Sequence, residues 1–130
     1  MFLNVSNHPS ALWDDNQRNT AHTYGEVRDY PFPNIPPTAT LHEVSVIAQE
    51  HARSITVLRP DAVLCQGEFT FCFMLVMLLQ SQGFLVLAAC SERCSTESIL
   101  SDGTRKKTLL FRFVQFREYG RLPGYDMGVD

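Results

Sequence analysis

Ala62-Val63-Leu64-Cys65-Gln66 is apolar at every position but its last. A strand with no polar face must be covered on both sides, and in a short chain that means a parallel strand held between two layers of helices. Gly67 closes the run, and Thr70 to Gln82 follows, apolar on nearly every side and stopped by Gly83. That is the pattern of a helix that lies deep or covers a subunit contact. Phe84 to Ala89 is a second continuous apolar strand, turning polar at Cys90-Ser91-Glu92-Arg93.

The same alternation extends upstream. Met1 to Ser6 reads as a short buried strand that Pro9 prevents from continuing, with Ser10 placed to cap a helix whose first turn holds Asp14 and Asp15 and whose stop is Gly25. Glu26 to Phe32 reads as the second strand, ended by a stiff connection containing Pro31, Pro33, Pro36 and Pro37. Thr40-Leu41-His42-Glu43 is a capping-box pattern, and Leu41, Val44, Ile47, Ala48, His51, Ile55 and Leu58 then recur at helical spacing until Pro60. Downstream, Ser101-Asp102-Gly103 is a tight-turn signal joining Thr96–Leu100 to the β-branched and aromatic run Thr104–Phe116.

Strand and helix alternating in this way require right-handed crossovers. The expected fold is a small Rossmann-like three-layer α/β sandwich, its sheet mainly parallel, with a C-terminal antiparallel β-hairpin at the edge. One domain over residues 1–119 is expected, with 120–130 an aperiodic tail or a partner-contact arm.

Charge narrows the ligands. The 130 residues are 45% hydrophobic with a net charge of −3, so binding long nucleic acid through a basic face is not expected, whereas a small anion held by local geometry is. The first residues carry no basic leader, and the longest apolar run, Phe69–Leu79, is short of the roughly 20 residues a membrane span needs. The expectation is a soluble, cytoplasmic protein without a membrane contact. Cys65, Cys72, Cys90 and Cys94 lack CxxC spacing and fit reduced, buried thiols; Cys90 and Cys94 have no second ligand pair to build a zinc site, so no metal is expected.

In an open parallel sheet, ligands sit beyond the carboxyl ends of the strands, where helix N-termini aim free N–H groups. Four corners should meet there: Asn7-His8-Pro9-Ser10, Pro33-Asn34, Gln66-Gly67-Glu68 with Thr70, and Ser91-Glu92-Arg93. Their hydroxyls, amides, imidazole and guanidinium suit phosphate and ribose better than an apolar ligand. His8 is the candidate acid/base, because an imidazole on a loop can take a proton from a hydroxyl; its alternative is to bond a carbonyl and shape the Pro9 turn. Gly67 would let backbone approach a ligand, or simply make a tight strand-to-helix turn. Glu68 would bond ribose, orient a base, or complement the helix dipole. Arg93 would pair with phosphate, or with Glu92 or Glu97 on the surface. Trp13 would stack on a base, or pack. His51 falls on the apolar stripe of its helix as a satisfied core histidine, and His22 and His42 face solvent. GxGxxG, Walker, HExxH and GxSxG motifs do not occur, which removes the usual support for dinucleotide, nucleoside triphosphate, zinc-protease and serine-hydrolase functions.

Two of these corners carry a resemblance. A first strand running into His8-Pro9-Ser10-Ala11 with Trp13 shortly after, and Asp61 to Gly67 leading into a helix, resemble the small CRISPR-associated Rossmann-like (CARF-type) proteins of type III systems, in particular the ring nucleases. The likeness extends loosely over residues 1–95. Some relatives carry glycine where Ser10 stands and space the tryptophan differently. The resemblance implies a homodimer with its two-fold axis through the pocket, and metal-independent, cofactor-free cleavage of cyclic oligoadenylate, in which a ribose 2′-hydroxyl attacks its own 3′-phosphate. It assigns His8 as acid/base, Ser10 and Gly67 N–H groups with Arg93 as donors to the phosphoryl oxygens, and Asn7, Gln66 and Thr70 as ribose or base holders. Pro9, Trp13, Asn34, Glu68 and Ser91 complete the expected binding residues. The alternatives are a non-catalytic sensor or sponge for the same ligand, a structural interaction subunit, and nucleoside chemistry with Glu68 as nucleophile.

Overall fold

The computed structural model describes residues 1–121. Chain order is β1 (Phe2–Ser6), α1 (Asp15–His22), β2 (Val27–Asp29), α2 (Leu41–Leu58), β3 (Ala62–Gln66), α3 (Phe69–Ser81), β4 (Val86–Ile99) and β5 (Arg105–Glu118), with a 3₁₀ turn over Ser10–Leu12. The strands form one sheet in the order β2-β1-β3-β4-β5, parallel except that β5 runs antiparallel to β4. This is the expected α/β fold, a mostly parallel sheet with a C-terminal antiparallel hairpin.

Alternation along the central strands splits the core into two layers. Leu3 and Val5 of β1 with Val63 and Cys65 of β3 face α2 and α3, where Ala48, Ile55, Phe71, Leu75 and Leu79 cover them. Phe2, Ala62 and Leu64, with Leu87 of β4 beside Leu64, face the other way, toward Trp13 and Ala21. The apolar run Ala62–Cys65 is buried at every residue, as a doubly covered strand must be.

α2 begins as its sequence dictates. The Thr40 hydroxyl accepts from Glu43 N at 3.1 Å while the Glu43 carboxylate accepts from Thr40 N at 3.3 Å, a complete capping box. α1 differs from expectation: its cap is Asp14, whose Oδ1 accepts from Gln17 N at 2.7 Å, and not Ser10, which opens the 3₁₀ turn instead. β2 is shorter than the span 26–32, because the residues from Tyr30 onward leave the sheet with the proline run.

The largest departure is β4. It does not end at the polar residues after Ala89 but continues to Ile99, paired throughout with β5, so that the hairpin is an arm of two 14-residue strands. A bulge between Cys90 and Ser91 shifts the register. Phe113 and Phe116, an odd number of residues apart, can then face the same layer, with ring centroids 4.7 Å apart. The turn falls where Ser101-Asp102-Gly103 placed it: Asp102 Oδ1 accepts from Thr104 N at 2.9 Å and from its hydroxyl at 2.6 Å, which holds the Asp102 carboxyl below its ordinary range. The four cysteines are free, Cys65 and Cys72 buried but Cys90 and Cys94 only half-buried, since they lie on the arm rather than in the core. No helix among the described residues is long and apolar enough to cross a membrane. The expected tail falls largely in 122–130, outside the described residues.

Candidate functional site

The site is built around a polar residue inside a strand. Asn4, 1% exposed between Leu3 and Val5, donates through Nδ2 to the His8 carbonyl at 3.0 Å and to Asp29 Oδ1 at 2.9 Å. The Ser6 hydroxyl donates to Asn4 Oδ1 at 2.7 Å, and His8 N donates back to Ser6 Oγ at 3.2 Å. Trp13 Nε1 is another donor to the His8 carbonyl, at 3.2 Å. Asp29, at the carboxyl end of β2, receives Ser10 N at 3.1 Å and the Ser10 hydroxyl at 3.0 Å. The backbone of the 7–10 corner is therefore fixed from both β1 and β2. The His8 side chain is exposed, and among the described residues its ring makes no hydrogen bond or ion pair.

Beside this corner, at the carboxyl ends of β1 and β3 and against Ala89 and Ser91 in the middle of β4, on the α1 side, lies a crevice of about 360 Å³. Ser6, Asn7, His8, Gln66 and Ser91 line it, with Trp13 and Phe113 below and Asp14 at its wall. β1 and β3 are adjacent in the sheet while the helices that follow them lie on opposite faces, so this is the topological switch point where open α/β sheets take ligands. Gln66 Oε1 accepts from Ala89 N at 2.9 Å, bridging β3 and β4 just beyond their last strand pair. A second concavity of about 580 Å³ opens on the other side of β1, where Asn7, Pro9 and Asn34 meet Tyr30 and Phe32.

The expected residues thus divide. Asn7, His8, Gln66 and Ser91 come together in the crevice, and Pro9 and Asn34 border its neighbour. Ser10 is committed to Asp29. Gly67 has φ +155°, and a Cβ there would overlap the Phe32 ring, so an aromatic side chain and not a ligand occupies the space its missing side chain leaves. Glu68 is the N-cap of α3: it accepts from Phe71 N at 2.7 Å, from the Thr70 hydroxyl and from Thr70 N, bonds that hold its carboxyl below the ordinary range. Thr70 is drawn into that cap and borders a groove along α3 rather than the crevice. Trp13 packs edge-on against Phe2 at 6.0 Å and is 5% exposed, a core ring with one edge at the crevice rather than a stacking platform. Arg93 is not at a strand exit, because β4 has no end there; it stands on the arm opposite Phe111, two residues beyond Ser91 on the same face. Among the described residues, no lysine or arginine lines the crevice.

His51 behaves as a satisfied core histidine, its Nδ1 2.7 Å from the Tyr30 hydroxyl and its ring edge-on to Phe71. Asn4, Ser6, Asp29 and Phe113 were not among the expected site residues. For Asn4 a signal existed: an amide between two apolar residues of a buried strand needs partners. No group of three or more histidine, cysteine, aspartate or glutamate residues among the described residues is placed to hold a metal ion.

A family model described as the uncharacterized protein MJ1673 family matches residues 1–117. No curated protein matches the chain, and no solved structure does.

Proposed function

We propose that this chain, which belongs to the uncharacterized protein MJ1673 family, is a metal-independent ring nuclease acting on cyclic oligoadenylate. The observation that carries the reading is the His8 corner. Three side chains, from Asn4, Ser6 and Trp13, converge on its main chain, leaving an uncommitted imidazole at the edge of a polar crevice at the sheet's switch point. A crevice of about 360 Å³ suits one phosphodiester link with its flanking riboses.

In this reaction the 2′-oxygen attacks phosphorus, the bond from phosphorus to the neighbouring 5′-oxygen breaks, and the products are a 2′,3′-cyclic phosphate and a 5′-hydroxyl. His8 takes the 2′-hydroxyl proton and returns it to the 5′-oxygen, so no water is consumed. Most of the remaining work is alignment. Asn7, Gln66 and Ser91 are the donors for phosphoryl and ribose oxygens, in place of Ser10 and Gly67, and Arg93 supplies positive charge from the arm.

One observation favours the second reading, a non-catalytic sensor of the same ring: among the described residues the crevice wall carries Asp14 and no lysine or arginine, which suits holding a ribose better than stabilising a phosphorane. Incubating the protein with cyclic tri-, tetra- and hexa-adenylate in chelator, then separating the products, tests the choice. Linear products ending in 2′,3′-cyclic phosphate support the nuclease. Tight binding with every ring intact supports the sensor, and neither binding nor cleavage removes both.

A further inference from the structure

α3 is apolar on both sides, and the core uses one of them. Phe71, Leu75 and Leu79 are fully buried, while Phe69, Phe73 and Met77, four residues apart, are 89%, 68% and 39% exposed. That spacing puts the three on one line along the helix. Leu41 at the start of α2, 75% exposed, borders the same surface. Together they wall a shallow groove of about 670 Å³ that also takes in Cys72 and Tyr119. No charged residue occurs from Phe69 to Ser81. At roughly 150–250 Å² per large side chain, scaled by these exposures, the four present about 500 Å² of apolar surface. A lone soluble protein seldom carries a larger patch, and a stable interface buries about 800 Å² per partner, of which this stripe would be the apolar centre.

We propose that this stripe is a two-fold interface between two copies of the chain, α3 lying antiparallel against α3 with Phe73 near the axis. The occupant is a second copy because the stripe complements itself. In a two-fold contact Phe69 of one copy meets Met77 of the other, the row at four-residue spacing fits the groove beside the facing row, and no charge on either side opposes the contact. The stripe lies on the α2 and α3 layer, whereas the crevice opens on the α1 side. The axis is therefore not the one through the pocket that the CARF resemblance implies, and the contact does not depend on what the crevice binds.

Light scattering coupled to size exclusion between about 1 and 100 µM tests it. The chain runs as two copies, and the pair Phe69→Glu with Phe73→Glu runs as one while keeping its circular dichroism spectrum, since both residues are exposed in the single copy. Should the double variant unfold, Phe73→Ala decides, with at least a tenfold weaker dimer expected. Phe111→Glu on the hairpin arm leaves the dimer intact. A single copy throughout the range overturns the proposal, as does a dimer that survives the α3 variants or one lost only through the arm. So does a monomer that dimerises only after removal of residues 122–130, which would assign the stripe to the chain's own C-terminal segment.

Discussion

Asn4 and Asp29 share a 2.9 Å hydrogen bond that ties the middle of β1 to the end of β2, and through it the His8 corner is anchored to two strands at once. Replacing Asn4 by Leu keeps the volume but leaves the His8 carbonyl, Ser6 and Asp29 each short of a partner. Stranded part-buried polar groups of this kind cost roughly 1–3 kcal/mol. Urea unfolding of Asn4→Leu should show a loss of about 2–3 kcal/mol. On the nuclease reading, turnover should fall further than affinity, because the corner is displaced more than the crevice is closed.

Glu68 accepts three bonds at the start of α3, and these hold its folded carboxyl below the usual value. A depressed carboxylate stabilises the fold above its unfolded pKa, and the contribution is lost as pH falls through the lower, folded value. Glu68→Ala should therefore lower stability at pH 7 by about 1 kcal/mol, in line with other N-cap truncations. Thermal melts below pH 4 should show the gap between the two proteins closing. A gap independent of pH would mean that the cap does not act through its charge.

Gly67 is fixed by two constraints, a φ of +155° and the Phe32 ring lying against it, itself edge-on to Phe71 at 5.3 Å. Gly67→Ala should destabilise by about 1–3 kcal/mol through strain and displacement of that ring. Chemical denaturation checks this, and near-ultraviolet circular dichroism should change with it.

The Tyr119 hydroxyl donates to the Cys65 carbonyl at 2.7 Å, and burial, with the Cys65 and Cys72 thiols nearby, pushes its pKa up to about 12. A phenol whose folded pKa is raised adds stability below its ordinary value of about 10 that is lost as pH climbs between the two. Ultraviolet titration should show one tyrosine ionising well after the rest. Tyr119→Phe should remove that late step and cost about 1 kcal/mol at pH 7.

What the sequence disclosed follows from where its signals are local. The Thr40–Glu43 box, the run Ala62–Cys65 and the Ser101–Gly103 turn each carry their reason within a few residues, and each stands where it was expected. β4 beyond Ala89 carries none: Ser91 to Ser98 is exposed apart from half-buried Cys94, so no apolar alternation marks it, and it is a strand because β5 pairs with it. That extension moved Arg93 from a corner to an arm. His8, Asn7 and Gln66 were legible as crevice residues because strand order fixes which ends of β1 and β3 meet, whereas Ser91 reaches the crevice from within β4. The support of the crevice was not legible, since Asn4 finds Asp29 across 25 residues of chain. Glu68 could have faced ligand or helix end, and the free N–H groups of α3 claimed it.

The most direct test of the central claim measures His8→Ala beside the unaltered chain, on the same cyclic adenylate ring, for both binding and single-turnover cleavage in chelator. An imidazole that moves the proton predicts a rate lower by about 10²–10⁴ with affinity changed less than tenfold. Cleavage at the original rate by the variant would contradict it.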